Sequence, residues 1–199
     1  WFEAARREHA AVRESVGLFD MSSFGKIRLE GADARNVLQR LCSNDVDVPP
    51  GRLVYTQFLN ARGGVEADLT ATRLREDAYL LVVPAGSVVR DLAWIQRHIP
   101  TGAQCVALDV TSAEAVLCVM GPNARMLLEL CSPTDFSNDA FPFGTAQDIE
   151  IGMGVARAHR VTYVGELGWE LYVSTDMACH VFETLMTAGE ILSEREGGK

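Results

Sequence analysis

The chain has 199 residues, carries 18 basic and 27 acidic side chains, and has a formal net charge of −9. Hydrophobic residues make up 48% and charged residues 23% of the sequence, which is the ordinary balance of a globular protein and argues against global disorder. The acidic balance argues against a nucleic-acid partner, and no apolar run is long enough to predict a membrane span.

The cysteines and histidines limit the expected metal chemistry and the expected cellular compartment. Five cysteines, without a CxxC pair, predict reduced thiols in a cytoplasmic protein. We expect the cytoplasm if the chain is bacterial and the mitochondrial matrix if it is eukaryotic. The four histidines lack the spacing of metal ligands, so we expect no metal site. The sequence begins at Trp1 in a charged segment without a starting Met, from which we expect a piece of a longer parent chain.

The first half of the chain predicts three helices and four strands. A helix over 2–16 ends with Gly17 at the position after its C-cap. Residues 18–22 then lead into a strand over 26–30, and a second helix covers 34–41 with its apolar residues on one stripe. The strands and the helix that follow are predicted at 53–59, 65–74, 78–83 and 88–98.

The second half predicts mainly strands. They are expected near 105–110, 115–120, 146–151, 155–164 and 169–173. Gly121-Pro122 opens a helix that runs to Leu130, and a closing helix covers 177 to about 188. We expect residues 190–199 to form a loose tail. Strands outnumber helices, and hairpins occur beside helical crossovers, so the predicted fold class is α+β.

Two carboxylates stand within otherwise apolar strands. In the strand over 65–74, alternation places Asp68 on the face opposite Ala67 and Leu69. Glu170 alternates in the same way with Trp169 and Leu171. The spacing alone favours a structural interpretation, with Asp68 on a solvated outer face and Glu170 as a charge on a sheet edge. A functional role for either carboxylate stays open.

Several motifs, in the expected order, resemble the folate-binding aminomethyltransferase family, which contains the glycine cleavage T-protein. They cover most of the chain, from about residue 8 to about residue 188. The matching segments are Phe19-Asp-Met-Ser22, Asn60-x-x-Gly63-Gly64-x-x-x-Asp68-Leu69, Gly121-Pro122 and Tyr163-x-Gly165-Glu166-x-Gly168-x-Glu170. Segments 19–26, 69–74, 138–143 and 164–171 resemble most the C-terminal folate module of sarcosine and dimethylglycine dehydrogenases.

The resemblance implies a fold and a set of site residues. The fold would contain two interleaved α/β subdomains with antiparallel sheets, in one domain over 1–199 that lacks the family's C-terminal β domain. Asp68 would be the catalytic acidic residue beside the reactive nitrogens of tetrahydrofolate. Tyr55 would line the same pocket, Glu170 would bind the pterin ring, and Tyr163 would pack nearby. A carboxylate that accepts adjacent N–H donors forms oriented, charge-assisted bonds.

The resemblance also implies partners and alternatives. The expected activity is capture of a one-carbon unit, derived from an N-methyl amine, as 5,10-methylenetetrahydrofolate, with FAD held only in the part of the parent outside this chain. The module would contact that FAD domain. The alternatives are a stand-alone aminomethyltransferase that acts on a lipoyl carrier protein, and a non-catalytic regulatory relative. The sequence departs from T-proteins at Ala67, where they carry a first aspartate, and at Pro84, where they carry an asparagine.

The hairpin register offers a geometric test of the pocket. Residues directly opposite each other in an antiparallel pair point to the same face. A register with Thr56 opposite Asp68 would turn Tyr55 away, because one step of register moves every side chain to the other face. The pocket interpretation therefore requires Tyr55 and Asp68 on one face, and it expects Glu170 to approach the same cavity from another hairpin, with its carboxylate partly shielded.

Overall fold

The computed structural model describes residues 1–195, which form five α-helices and ten β-strands. The helices are α1 (Phe2–Glu14), α2 (Ala34–Leu41), α3 (Val88–His98), α4 (Ala124–Cys131) and α5 (Ala178–Arg195). The strands are β1 (Gly17–Asp20), β2 (Gly25–Glu30), β3 (Leu53–Leu59), β4 (Val65–Arg75), β5 (Ala78–Val83), β6 (Val106–Asp109), β7 (Glu114–Met120), β8 (Ala146–Ile151), β9 (Gly154–His159) and β10 (Gly168–Ser174).

These elements divide into two units that interleave along the chain. One unit takes residues 1–22 together with the chain from Ala113 onward, and the other takes Ser23–Ser112. Each unit contains a five-stranded sheet in which every strand pair is antiparallel. The α+β class and the two interleaved subdomains that the sequence predicts are confirmed.

The unit of Ser23–Ser112 has the strand order β3-β4-β5-β2-β6. Its core lies on one face of the sheet, where apolar residues of α2 and α3 pack against alternate residues of the strands. Phe58, Ala67 and Leu69 belong to this core, as alternation requires. The opposite face of β3 and β4 therefore carries Tyr55 and Asp68.

The other unit has the strand order β1-β7-β10-β9-β8, so β10 is its central strand. Helices α4 and α5 cover one face and bury Trp169, Leu171 and Val173 of β10 in a common core. Trp169 is also flanked by the rings of Phe136 and Phe141. The second face of β10 carries Glu170 and Tyr172, which are both buried as well.

Two predicted boundaries are wrong, and one short strand is missing from the prediction. Strand β9 ends at His159 rather than at Val164, because its partner β8 begins at Ala146, which pairs with His159, and the pairing with β10 stops at the same residue. Strand β1 was not predicted, since four residues give too short a pattern and its pairing with β7 defines it. Helix α4 begins at Ala124 rather than at the Gly-Pro step.

The ends of the first and last helices also differ from expectation. Helix α1 ends at Glu14, and Gly17 begins β1 instead of capping the helix. A Cβ at Gly17 would lie 2.6 Å from Val12 Cγ2, so close packing explains the glycine. Helix α5 extends through Arg195, so residues 190–195 are helical rather than a loose tail, and 196–199 lie outside the described residues. None of the helices described is both long and apolar enough to cross a membrane.

Candidate functional site

The register of the β3–β4 hairpin brings Tyr55 and Asp68 to one face. Gln57 lies opposite Asp68, and Tyr55 lies opposite Thr70. Since alternate residues of a strand share a face, all four side chains project from the same side. The register shifts only between Phe58 and Leu59, on the turn side of Asp68, so it does not disturb this pairing. The expected register is confirmed.

Both oxygens of the Asp68 carboxylate are hydrogen-bonded on this face. The Tyr55 hydroxyl donates to Oδ2 at 2.9 Å, and Gln57 Nε2 donates to Oδ1 at 2.9 Å. Asp68 is exposed, and Tyr55 keeps 63% of its surface accessible. Leu59 and Val65 are exposed close by on the two strands. The hairpin thus presents an oriented carboxylate within an accessible, partly apolar surface.

Gln57 is itself held by its neighbours. The Ser43 hydroxyl donates to Gln57 Oε1 at 3.1 Å, while the Gln57 backbone N–H donates to Ser43 Oγ at 3.3 Å. With its oxygen bound to Ser43, the amide turns its nitrogen toward Asp68, so Nε2 is the donor to the carboxylate. The orientation of the carboxylate therefore depends on a residue that the motif does not contain.

The remaining motif residues of this hairpin build its turn. Asn60 Oδ1 accepts hydrogen bonds from the backbone N–H groups of Arg62 and Gly64, and Asn60 Nδ2 donates to Glu66 Oε1 at 2.8 Å. Gly63 has a φ of +78°, a conformation that favours glycine. Ala67, the position where T-proteins carry an aspartate, points into the apolar core and is 3% exposed.

Glu170 lies in the other unit, on the central strand β10. It is opposite Cys118 of β7 on one side and His159 of β9 on the other, and only 7% of its surface is accessible. The interpretation of Glu170 as a charge on a sheet edge is therefore wrong. The expectation that its carboxylate is shielded agrees with this burial.

The Glu170 carboxylate has one bound oxygen. The Tyr172 hydroxyl donates to Oε2 at 2.8 Å. Oε1 accepts no hydrogen bond from the residues described and is not among their fully enclosed polar atoms. Burial raises the pKa of Glu170, and the hydrogen bond from Tyr172 lowers it in part. Oε1 is thus left to accept a hydrogen bond from a ligand.

The neighbouring ionisable groups do not supply a cation for Glu170. His159 is fully buried, and burial, followed by the charge of Arg157, lowers the pKa of its ring to about 3. The ring is therefore neutral at physiological pH, and neither of its nitrogens has a partner among the described residues. It packs against Tyr172 with ring centroids 4.3 Å apart.

The rest of the second motif lies in the irregular segment 160–167. Tyr163 is 80% exposed there, so its predicted place beside the pterin stays a prediction. Glu166 points elsewhere: its Oε1 pairs with Arg13 Nη1 of α1 at 2.5 Å. The two motif glutamates therefore differ. Glu166 forms an ion pair that connects the loop to α1, whereas Oε1 of Glu170 accepts no hydrogen bond from the residues described.

The structure brings Tyr55 and Asp68 together in one unit, and places Tyr163 and Glu170 in the other. That Glu170 shares a cavity with Asp68 stays a prediction. The sequence reasoning missed Gln57 and Tyr172, although each stands two residues from a named site residue on the same strand face. A period-two scan around each candidate would have found both. Among the residues described, no group of three or more potential ligands could hold a metal ion.

Comparison with known proteins places this geometry in a family. The family model described as the GCVT N-terminal domain matches residues 1–198. The chain is 42% identical over 198 residues to 4-methylaminobutanoate oxidase (formaldehyde-forming) of Paenarthrobacter nicotinovorans, covering 100% of this chain and 24% of that protein. It is 37% identical over 205 residues to human mitochondrial sarcosine dehydrogenase, covering 94% of this chain and 22% of that protein.

A solved structure supports the same assignment. The glycine cleavage system aminomethyltransferase T of Bartonella henselae superposes with a TM-score of 0.78 at 28% identity, covering 90% of this chain and 48% of that one. The chain thus spans about a quarter of the length of the two curated relatives and about half of the solved one. It belongs to the GCVT N-terminal domain family of aminomethyltransferase-like, folate-binding domains, related to N-methyl amine dehydrogenases as well as to T-proteins.

Proposed function

We propose that this chain is the tetrahydrofolate-binding, one-carbon transfer module of a flavoenzyme similar to sarcosine and dimethylglycine dehydrogenases. The parent oxidises an N-methyl amine at FAD, which is held outside this chain, and the module captures the resulting formaldehyde or iminium as 5,10-methylenetetrahydrofolate. One observation carries the proposal: the Asp68 carboxylate is held by Tyr55 and Gln57 on an exposed hairpin face.

In this proposal Glu170 binds the pterin. A pterin presents adjacent N–H donors, and a carboxylate with an unoccupied oxygen is the acceptor that such donors need. Glu170 fits this requirement, since Tyr172 binds Oε2 and leaves Oε1 without a donor among the residues described. Tyr163 supplies exposed aromatic area for stacking on the flat ring. Burial of Glu170 strengthens its hydrogen bonds, because the local dielectric is low.

Asp68 acts on the reacting groups. Tetrahydrofolate, when bound, supplies the nitrogen nucleophiles that take up the one-carbon unit. The negative charge of Asp68 stabilises positive charge that develops nearby, and the carboxylate can accept the proton that a nitrogen loses and pass it to the departing water or amine. Tyr55 and Gln57 hold the carboxylate in one orientation before reaction, so less reorganisation is needed.

The test is the fate of the one-carbon unit in the full-length enzyme. We expect Asp68→Asn to leave amine oxidation largely intact, while the yield of methylenetetrahydrofolate falls about tenfold to a thousandfold and free formaldehyde rises. Flavin reduction by the amine and product analysis in the presence of tetrahydrofolate measure the two steps separately.

Glu66→Gln is the matched control, because Glu66 lies two residues away on β4 and a glutamine can still accept the hydrogen bond from Asn60. We expect this variant to partition products as the wild type does. Unchanged partition in Asp68→Asn would remove the catalytic role of Asp68.

A second candidate is an aminomethyltransferase that acts on a lipoyl carrier protein. It is favoured by the superposition on the glycine cleavage protein of Bartonella henselae. The full reading frame of the parent gene distinguishes the two, since a flavin domain with a dinucleotide-binding motif upstream of Trp1 supports the dehydrogenase and its absence supports the aminomethyltransferase. Release of ammonia from an aminomethylated lipoyl carrier protein is the direct assay.

A further inference from the structure

We propose that Tyr172 is a positioning residue that orients the Glu170 carboxylate and keeps it a hydrogen-bond acceptor for the pterin. The inference rests on the proposed function, because it assigns Tyr172 a part in the binding role of Glu170. The matching motif ends at Glu170 and does not include this tyrosine, which lies two residues further along the chain. The contact between the two side chains, both on the buried second face of β10, carries the inference.

The geometry makes Tyr172 a fixed donor. The hydroxyl lies 2.8 Å from Glu170 Oε2, and both side chains project from the same face of the same strand. Tyr172 is 3% exposed, and the His159 ring packs against its own at 4.3 Å. Burial, followed by the nearby Glu170, raises the pKa of Tyr172 well above its ordinary value, so the hydroxyl keeps its proton and can only be the donor to an ionised carboxylate.

Tyr172 is also the only donor to this carboxylate among the residues described. The ionisable groups that face Glu170 and Tyr172 come from the two neighbouring strands, β9 and β7. On β9 they are His159, which is neutral, and Arg157, which pairs with Asp148 and Glu114. On β7 they are Cys118, directly opposite Glu170, and Glu114 near the strand's start. Burial raises the pKa of Cys118, so it remains a neutral thiol.

Loss of the hydroxyl changes Glu170 in a predictable direction. Burial raises the pKa of Glu170 and the Tyr172 hydrogen bond opposes that rise. Removing the hydroxyl therefore raises the pKa further, so Glu170 protonates at a higher pH. A protonated carboxyl loses its charge, and one of its acceptor positions becomes an O–H donor that cannot bind an N–H group. Tetrahydrofolate affinity must then decline at a higher pH than in the wild type.

The experiment measures tetrahydrofolate affinity by calorimetry between pH 5 and 9 in the full-length protein. We expect Tyr172→Phe to weaken binding roughly tenfold at neutral pH and to move the midpoint of the affinity–pH curve upward. In a Glu170→Gln background, the same substitution changes affinity less than about twofold, since the ionisable partner is absent. A merely structural role of Tyr172 would not move the midpoint.

Tyr79→Phe is the matched control, because it removes another buried hydroxyl, which donates to the Val46 carbonyl oxygen in the other unit at 3.1 Å. We expect a comparable loss of stability without a shift of the midpoint. Should Tyr172→Phe fail to fold, 3-fluorotyrosine at position 172 retains the shape and strengthens the donor, and we expect it to move the midpoint downward.

The outcomes separate the two proposals. If Glu170→Gln binds tetrahydrofolate as the wild type does, the proposed role of Glu170 is wrong. If Glu170→Gln weakens binding while Tyr172→Phe and the fluorinated variant leave both affinity and midpoint unchanged, the role of Glu170 stands and the inference about Tyr172 is overturned.

Discussion

The two candidate carboxylates, one in each unit, differ in how the protein controls them. Asp68 is exposed on a hairpin face and is held by two neutral donors, from Tyr55 and Gln57. Glu170 is buried on a central strand and has a single donor, from Tyr172. The hairpin therefore controls Asp68 through orientation, whereas the buried strand controls Glu170 through the cost of removing its charge from water. In the proposed function, this difference suits Asp68 as the reacting group and Glu170 as the binding group.

The largest expected effect concerns the buried face on which Glu170 lies. The pKa of His159 is lowered to about 3, so His159 contributes stability that is present above its ordinary pKa and is lost as the pH falls toward its folded value. Between pH 7 and pH 4 this loss amounts to about 3 kcal/mol. We expect His159→Phe to retain that much more of its free energy of unfolding on acidification than the wild type does.

Urea unfolding at pH 7 and pH 4 measures the difference, and the comparison of variants cancels the contributions of the carboxylates. His9→Gln, at an exposed position of α1, is the control and should follow the wild type. Equal acid losses in the wild type and in His159→Phe would show that the ring is not buried and neutral, and that the two regions do not differ in this way.

Glu170→Gln gives the next largest effect. We expect tetrahydrofolate affinity to fall by about 1.5–3 kcal/mol, because the charge-assisted bonds are lost. Stability at pH 7 should stay close to that of the wild type or rise. Glu170 contributes its full stability below its ordinary pKa, and this contribution is lost as the pH rises through the raised pKa of the folded protein. The buried, ionised carboxylate therefore destabilises the folded protein.

Calorimetry and thermal unfolding check both statements. Glu166→Gln is the control within the same motif, since Glu166 pairs with Arg13 rather than serving a ligand, and its tetrahydrofolate affinity should remain near the wild-type value. Equal losses of affinity in both variants would mean that the motif acts as a structural element.

A smaller effect is expected from Gln57→Leu, which removes one of the two hydrogen bonds that orient the Asp68 carboxylate. Loss of one hydrogen bond at this exposed site is worth about 0.5–1.5 kcal/mol, so we expect methylenetetrahydrofolate yield to fall up to about tenfold while tetrahydrofolate affinity is unchanged. Gln147→Leu is the matched control, because it removes an amide donor on β8 that binds the Ala140 carbonyl oxygen. A fall in affinity rather than in yield would assign Gln57 to binding.

Arg13→Ala gives the smallest effect. Its ion pair with Glu166 is partly exposed, with 48% of the Arg13 side chain accessible, and such pairs contribute about 0.2–1 kcal/mol. We expect faster hydrogen exchange in residues 160–167 and little change in the free energy of unfolding. Arg6→Ala, which removes a pair with Glu3 within α1, should leave that exchange unchanged. Faster exchange in both variants would indicate a general effect on α1.

Short-range patterns in the sequence account for much of the fold. The bounds of β3, β5, β8, α2 and α3 follow from alternation, apolar stripes and turn residues, because these signals extend over only a few residues. The Asn60–Gly64 motif likewise predicts the hairpin turn, since Asn60 and its two glycines build it locally. The motifs also indicate Asp68 and Glu170 as candidate site residues.

The tertiary structure decided what surrounds these residues. Alternation shows that Glu170 and Trp169 lie on opposite faces, but only the tertiary structure, which places β10 between β7 and β9 and buries residues on both of its faces, makes Glu170 a shielded carboxylate. Only the register, with Gln57 opposite Asp68, brings Tyr55 and Gln57 to its two oxygens. Strand order and register depend on pairing between distant segments, and a local sequence pattern does not determine that pairing.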